Sequence, residues 1–347
     1  MGWRRSQLGV ELLEDRSVPA GVVNVIGASP DNITIVGDNL ANDITISMSG
    51  NGISIQANGT TTLTLSPNTP GSWVVSQTPT LIVLNPNGPN NPPTLGNLFV
   101  DMRDGDDVVG AFSLSSSGNQ VFSLGNGNDK LNVGACNVGG ALIVRDITGN
   151  DTVTIDNTRA NLNSFINLTS GNDKVYIAGS GTAFNQDLMI SMAAGDDLVR
   201  FIPGQSVING NLGIYTGAGN DRVLVDGASP GTPATLKVNG NTLIQTGSNN
   251  DRVIFGTPGS MTGATVDLAA TVIDMGSGKD EIGMRDAIMS LLIALLGDDD
   301  DQVLNNWGAA NVTVGFGSLL DGGNQMVADT LPSGWSAPAG LSVVGFP

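Results

Sequence analysis

The stretch GNGNDKLNVGACNVGGALIVRDITGNDTVTID, residues 125–156, contains the same device twice, a Gly-Asx-Asp turn ending at Asp129 and again at Asp151. Each Asp is followed at two and four positions by an aliphatic residue: Leu131 and Val133 in the first case, Val153 and Ile155 in the second. The pattern extends outward in both directions, with aspartates at 107, 129, 151, 173, 197, 221, 251, 280 and 301 at first intervals of 22, 22, 22, 24 and 24 residues. A fixed period of this length is the mark of one supersecondary unit stacked on itself.

Alignment on these aspartates produces apolar columns. Seven residues before them stand Val100, Phe122, Val144, Ile166, Ile190, Ile214, Ile244, Ile273 and Ala294. Two after them stand Val109, Leu131, Val153, Val175, Val199, Val223, Val253, Ile282 and Val303. At four after, Asn305 is the single polar exception to a row that includes Ala111, Val133 and Phe201. Period-2 alternation rich in β-branched residues predicts strands with one face buried. The odd offset between the columns at −7 and +2 requires a turn between them, and the sequence supplies Gly at −2 with Asx at −1. Gly96, Gly118, Gly140, Gly210 and Gly240 mark a second corner eleven residues before the aspartates.

The expected fold is therefore all-β, a parallel solenoid of roughly 22-residue coils with the right-handed winding of parallel crossovers. The expected organisation is a leader over 1–20, an N-terminal β region with a Pro/Asn-rich loop over 21–93, the solenoid over 94–330 and a C-terminal cap or tail over 331–347. Asp31 with Ile33 and Ile35 fits a first coil. The segment ITISMSGNGISI, residues 44–55, reads as a hairpin across Ser49 to Gly52, with Asp43 one residue out of register. LNPNGPNNPP, 84–93, cannot form a central strand. The run Leu291 to Leu296 reads as a buried strand. Inward and outward positions carry different expectations: Val223→Asp is severely destabilising and Arg200→Ser nearly neutral.

Composition narrows function. The chain of 347 residues has 14 Lys+Arg against 32 Asp+Glu, a net charge of −18, which argues against nucleic acid and anionic membrane and leaves cations as natural counterparts. It has no histidine and one cysteine, Cys136, so Cys/His zinc sites, Cys-His nucleophilic pairs and intramolecular disulfides are excluded. No apolar run reaches the length of a spanning helix, and membrane insertion is not expected.

Two resemblances add to this reading. RRSQLGVELLEDRSVPA, Arg4 to Ala20, resembles the LE-x-LEDR-x-x-PA leader of large extracellular proteins of planctomycete bacteria, which implies an exported or cell-surface protein. TGAGNDRVLV, Thr216 to Val225, and GNGNDKLNV, Gly125 to Val133, resemble the calcium-binding nonapeptide of RTX (hemolysin-type) proteins. That resemblance implies Ca²⁺ held by Asp107, Asp129, Asp151, Asp173, Asp197 and Asp221, an all-oxygen set that suits this ion. The family's first Gly is missing, its place five before each Asp being taken by Met102, Leu124, Asp146, Leu168, Met192 or Thr216. A purely structural Asx corner is the other reading of the same residues. The functional expectation is a non-catalytic extracellular structural or adhesive solenoid, with a surface polymer or another surface protein as partner. The alternative is a polysaccharide-active β-helix enzyme using pairs such as Asp106 with Asp107 or Asp196 with Asp197 as acid and base.

Overall fold

A computed structural model describes residues 21–226, 235–256, 266–285, 287–304, 312–323, 339 and 341–344. The leader segment, Asn305 and most of the expected C-terminal cap lie outside the described residues.

The chain is a parallel β-solenoid. In the coil that follows Asp107, strand Val108–Phe112 leads to the two-residue strand Ser115–Ser116 and then to Gln120–Ser123. Each strand pairs in parallel with its equivalent one period on: Val108 lies opposite Lys130, which lies opposite Thr152. Phe122 lies between Val100 and Val144 in the same way. Identical columns thus fall on top of one another, and those at −7 and +2 are buried throughout the described coils. One hydrophobic core runs without a break from Val23 to Leu320.

The coil has three bends, one more than the sequence marks. The additional bend lies six residues after Asp107, Asp129 and Asp151, where Ser113, Ala135 and Asn157 have φ of 55°, 54° and 47°. Left-handed backbone costs a non-glycine residue about 1–2 kcal/mol. It is offset by coil-to-coil hydrogen bonds from Ser113 N to Gly134 O and from Ala135 N to Asp156 O, both 2.9 Å. Cys136, just past this bend, is buried, and burial pushes its thiol up to about 11, so it is a core residue rather than a nucleophile.

At the N-terminal end, strand Asn32–Val36 pairs in parallel with Leu98–Asp101 and antiparallel with Val22–Ala28. Ile33 lies opposite Leu98 and Ile35 opposite Val100, so the strand extends the column before the aspartates and Asp31 is not a member of the aspartate column. Asp43–Ser49 pairs in parallel with Val108–Phe112 on one side and antiparallel with Gly52–Ala57 on the other, with Ser49 opposite Gly52 as a hairpin requires. Asp43 stands opposite Val108, so the place in line with the aspartates belongs to Asn42. Of the segment 84–93, Leu84 ends strand Leu81–Leu84, which is paired on both sides, and residues 85–93 contain no strand. Toward the other end, Ala287–Leu295 pairs with Val266–Asp274 and with Ser318–Asp321, which in turn pairs with Leu341–Val344. The stack therefore continues past Asp301, where the sequence periodicity fades.

Candidate functional site

The Gly at −2 lets the corners stack closely. Gly149 has φ +144°, and a Cβ added there would lie 1.5 Å from the Gly127 carbonyl oxygen one coil below. A side chain is therefore excluded, and the Asx and Asp residues that follow are fixed on opposite sides of the wall. The residues at −1, among them Asp106, Asn128, Asn150, Asn172, Asp196 and Asn220, are exposed. The aspartates themselves, Asp107, Asp129, Asp151, Asp173, Asp197 and Asp221, together with Asp251, Asp280 and Asp301, are all buried.

Each side forms its own ladder, and the two run in opposite senses. Inside, a carboxylate accepts a bond from the backbone of the preceding coil: Asp107 N donates to Asp129 Oδ1 at 2.7 Å, Asp129 N to Asp151 Oδ1 at 2.7 Å and Asp151 N to Asp173 Oδ1 at 2.8 Å. The series continues with Asp173 N to Asp197 Oδ1 and Asp197 N to Asp221 Oδ1, both 2.8 Å. It begins at Asn42, whose N–H donates to Asp107 Oδ1 at 2.6 Å. Outside, the acceptor belongs to the earlier coil: Asn128 N donates to Asp106 Oδ1 at 2.7 Å, Asn172 N to Asn150 Oδ1 at 2.7 Å and Asn220 N to Asp196 Oδ1 at 2.8 Å. These bonds occupy corner amides that no β-ladder reaches.

The inner ladder uses one oxygen of each carboxylate and leaves the other. Oδ2 of Asp107, Asp129, Asp151, Asp173, Asp197, Asp221, Asp251 and Asp280 is buried without a hydrogen-bond partner. Burial pushes Asp107, Asp197 and Asp251 up to about 7, Asp129 and Asp173 to about 6 and Asp280 to about 8, against the lowering effect of the N–H bonds. Asp196, on the outside, is lowered instead by the Asn220 N–H. The six residues expected to hold calcium are thus brought into a single column, facing inward rather than into solvent-accessible turns. Each offers one free oxygen.

Asp146 lies beside this column. It occupies the position at −5 where other coils place Met102, Leu124, Leu168 and Met192, and it is buried beside Asp129 and Asp151, with one carboxylate oxygen from each of the three within 4.8 Å of the others. These three carboxylates are a group able to hold a metal ion. Sequence reading places Asp146 in the core column without giving it a role; the available signal is that it is the one acid in an otherwise apolar or Thr row.

A second feature lies on the outer surface of the long sheet. Phe99, Val121, Ile143, Phe165 and Met189 stand opposite one another in successive coils, followed by Gly213, Leu243, Val272, Ile293 and Leu319. Gly213 does not interrupt the stripe, because the Tyr215 ring lies over it, 3.1 Å from where a Cβ would be. Phe99, Phe165 and Met189 are 39%, 39% and 41% exposed. At about 4.8 Å per strand, the stripe is roughly 40 Å long.

No family model, no curated protein and no solved structure matches this chain. Among the described residues, no helix is long and apolar enough to cross a membrane.

Proposed function

We propose that this chain is a non-catalytic structural rod of the cell exterior that adheres to a second copy of itself through the outward apolar stripe. The observation that carries this reading is the stripe's continuity. Scattered exposed apolar residues are ordinary on any surface, whereas a row held in register over ten strands is a contiguous patch of the kind that marks an interaction surface. Two copies related by a twofold axis along the strands would lay stripe on stripe, as an isologous interface demands.

Sedimentation of the purified chain tests it. The wild type is expected to self-associate at micromolar concentration, more tightly as salt screens the net charge of −18, and Phe165→Lys with Met189→Lys is expected to be monomeric with an unchanged circular dichroism spectrum. A wild type that stays monomeric at about 100 μM and high ionic strength rejects the reading, since interfaces of this kind associate far below that.

The polysaccharide-enzyme alternative has less support. Within the pairs Asp106–Asp107 and Asp196–Asp197 the first residue is exposed and the second buried, so the two carboxyls of a pair sit on opposite sides of the wall and do not converge on one substrate. Export rests on the leader-like segment Arg4 to Ala20. Deleting residues 1–20 is expected to leave folding intact and abolish delivery to the surface, as read by surface labelling of cells; undiminished display would reject that assignment.

A further inference from the structure

Asp146 is 3% exposed, and neither of its oxygens has a hydrogen-bond partner. Where the same column carries a different polar residue the problem is solved locally: the Thr216 and Thr246 hydroxyls donate to the carbonyls of Thr246 and Met275 at 3.2 and 3.1 Å. A carboxylate has no proton to donate in this way. Its neighbours Asp129 and Asp151 have already committed Oδ1 to the N–H groups of Asp107 and Asp129. Four oxygens of the three residues therefore remain without a hydrogen bond, both of Asp146, Oδ2 of Asp129 and Oδ2 of Asp151, and one carboxylate oxygen of each residue lies within 4.8 Å of the others. Lys130 and Arg145, the basic residues adjoining Asp129 and Asp146 in sequence, stand exposed on the outer surface and do not enter this space.

We propose that Asp129, Asp146 and Asp151 form an internal binding site for one divalent cation of the oxygen-preferring class, with Ca²⁺ as the ion to probe. Three buried carboxylates with no counter-charge are costly. A shared proton would leave two charges and most of the free acceptors in place, whereas a divalent cation neutralises two charges and engages all three carboxylates together. The geometry agrees. Oxygens that each lie 2.3–2.6 Å from a calcium ion are at most about 5 Å apart, and the ligand atoms here lie within 4.8 Å of one another. Among the described residues no other coil offers this set, and the neighbouring −5 positions are Leu124 and Leu168. The site is independent of the apolar stripe, so the self-association reading and this one fail separately.

Calorimetric titration of the full chain with Ca²⁺ after chelator treatment, paired with melting curves, is the test. The wild type is expected to bind one equivalent and to melt higher as Ca²⁺ is added. Asp146→Leu, which copies the residue of the adjacent coils, is expected to fold, to lose that equivalent with at least a tenfold fall in affinity, and to melt at a temperature indifferent to Ca²⁺. Asp146→Asn, which keeps the shape and removes the charge, gives the same readout should the leucine variant not fold. Asp221→Asn, in the corner closest to the RTX pattern, is expected to retain the bound equivalent. A wild type without Ca²⁺ binding at millimolar concentration overturns the site. So does binding that survives both Asp146 substitutions and is lost in Asp221→Asn, which would assign the ion to the rest of the column.

Discussion

Val223→Asp will leave the protein largely unfolded under conditions where the wild type is folded. Val223 is fully buried, lies between Val199 and Val253 in neighbouring coils, and has no donor or cation within its column. An aspartate there must either ionise in an apolar interior or be held neutral far above its ordinary range; both cost several kcal/mol, out of a total stability that is typically 5–15 kcal/mol. Urea unfolding measures the loss. The matching control is Lys174→Ser, an exposed residue on the outward face, expected within about 0.5 kcal/mol of wild type. Equal effects at the two sites would contradict the strand phase. Arg200 is a poorer control than its outward position promises, because its guanidinium holds Asp226 at 2.9–3.1 Å and that carboxylate is largely buried. Arg200→Ser leaves Asp226 without this partner and so departs from the near-neutral expectation.

Acidification from pH 8 to pH 4.5, in the presence of chelator, will raise the melting temperature. Asp107, Asp197 and Asp251 are held at about 7 and Asp280 at about 8 in the folded chain, against an ordinary 3.8. Between those values the folded state keeps protons that the unfolded state has released. Stability therefore falls as pH rises from about 4 to about 8, the reverse of ordinary acid denaturation. One carboxyl at about 7 rather than 3.8 corresponds to roughly 4 kcal/mol across that range, and neighbours in the column share part of the same repulsion, so the effects do not simply add. Asp251→Asn keeps the Oδ1 acceptor for the Asp221 N–H and removes the titration, so it is expected to flatten the slope. A melting temperature that is highest near pH 7 and falls steadily toward pH 5 would refute the buried-acid account.

The period, the inward columns and the hairpin at Ser49 to Gly52 are legible in the sequence because each is stated by several residues at once: nine aspartates in phase, β-branched residues beside them, glycines where the corners stack. The third bend is not legible, since Ser113, Ala135 and Asn157 share no chemistry that announces left-handed backbone; the coil above and below imposes it. Asn42 is hidden by its neighbour, because Asp43 looks like the next member of the column while Asn42, one residue earlier, donates to Asp107. The inward direction of the aspartates is hidden for another reason. A Gly-Asx-Asp corner places two short polar side chains in succession, and only the stacking of Gly149 on Gly127 decides which of the two turns inside. Asp146 is visible as an acid in an apolar row, but its convergence with Asp129 and Asp151 depends on which way those two face.

The opposed senses of the two Asx ladders bear on how the rod carries load. Strand ladders, inner carboxylates and outer amides all bond from one coil to the next, along the long axis, while the covalent chain runs around it. Tension applied to the two ends meets those weak bonds head-on and peels the stack a coil at a time, each coil releasing about 22 residues of slack. Compression loads the packed side chains instead, which resist like an organic solid. A solenoid wound in this way is expected to act under load as a strut rather than a tether, resisting compression and lengthening stepwise without parting under tension.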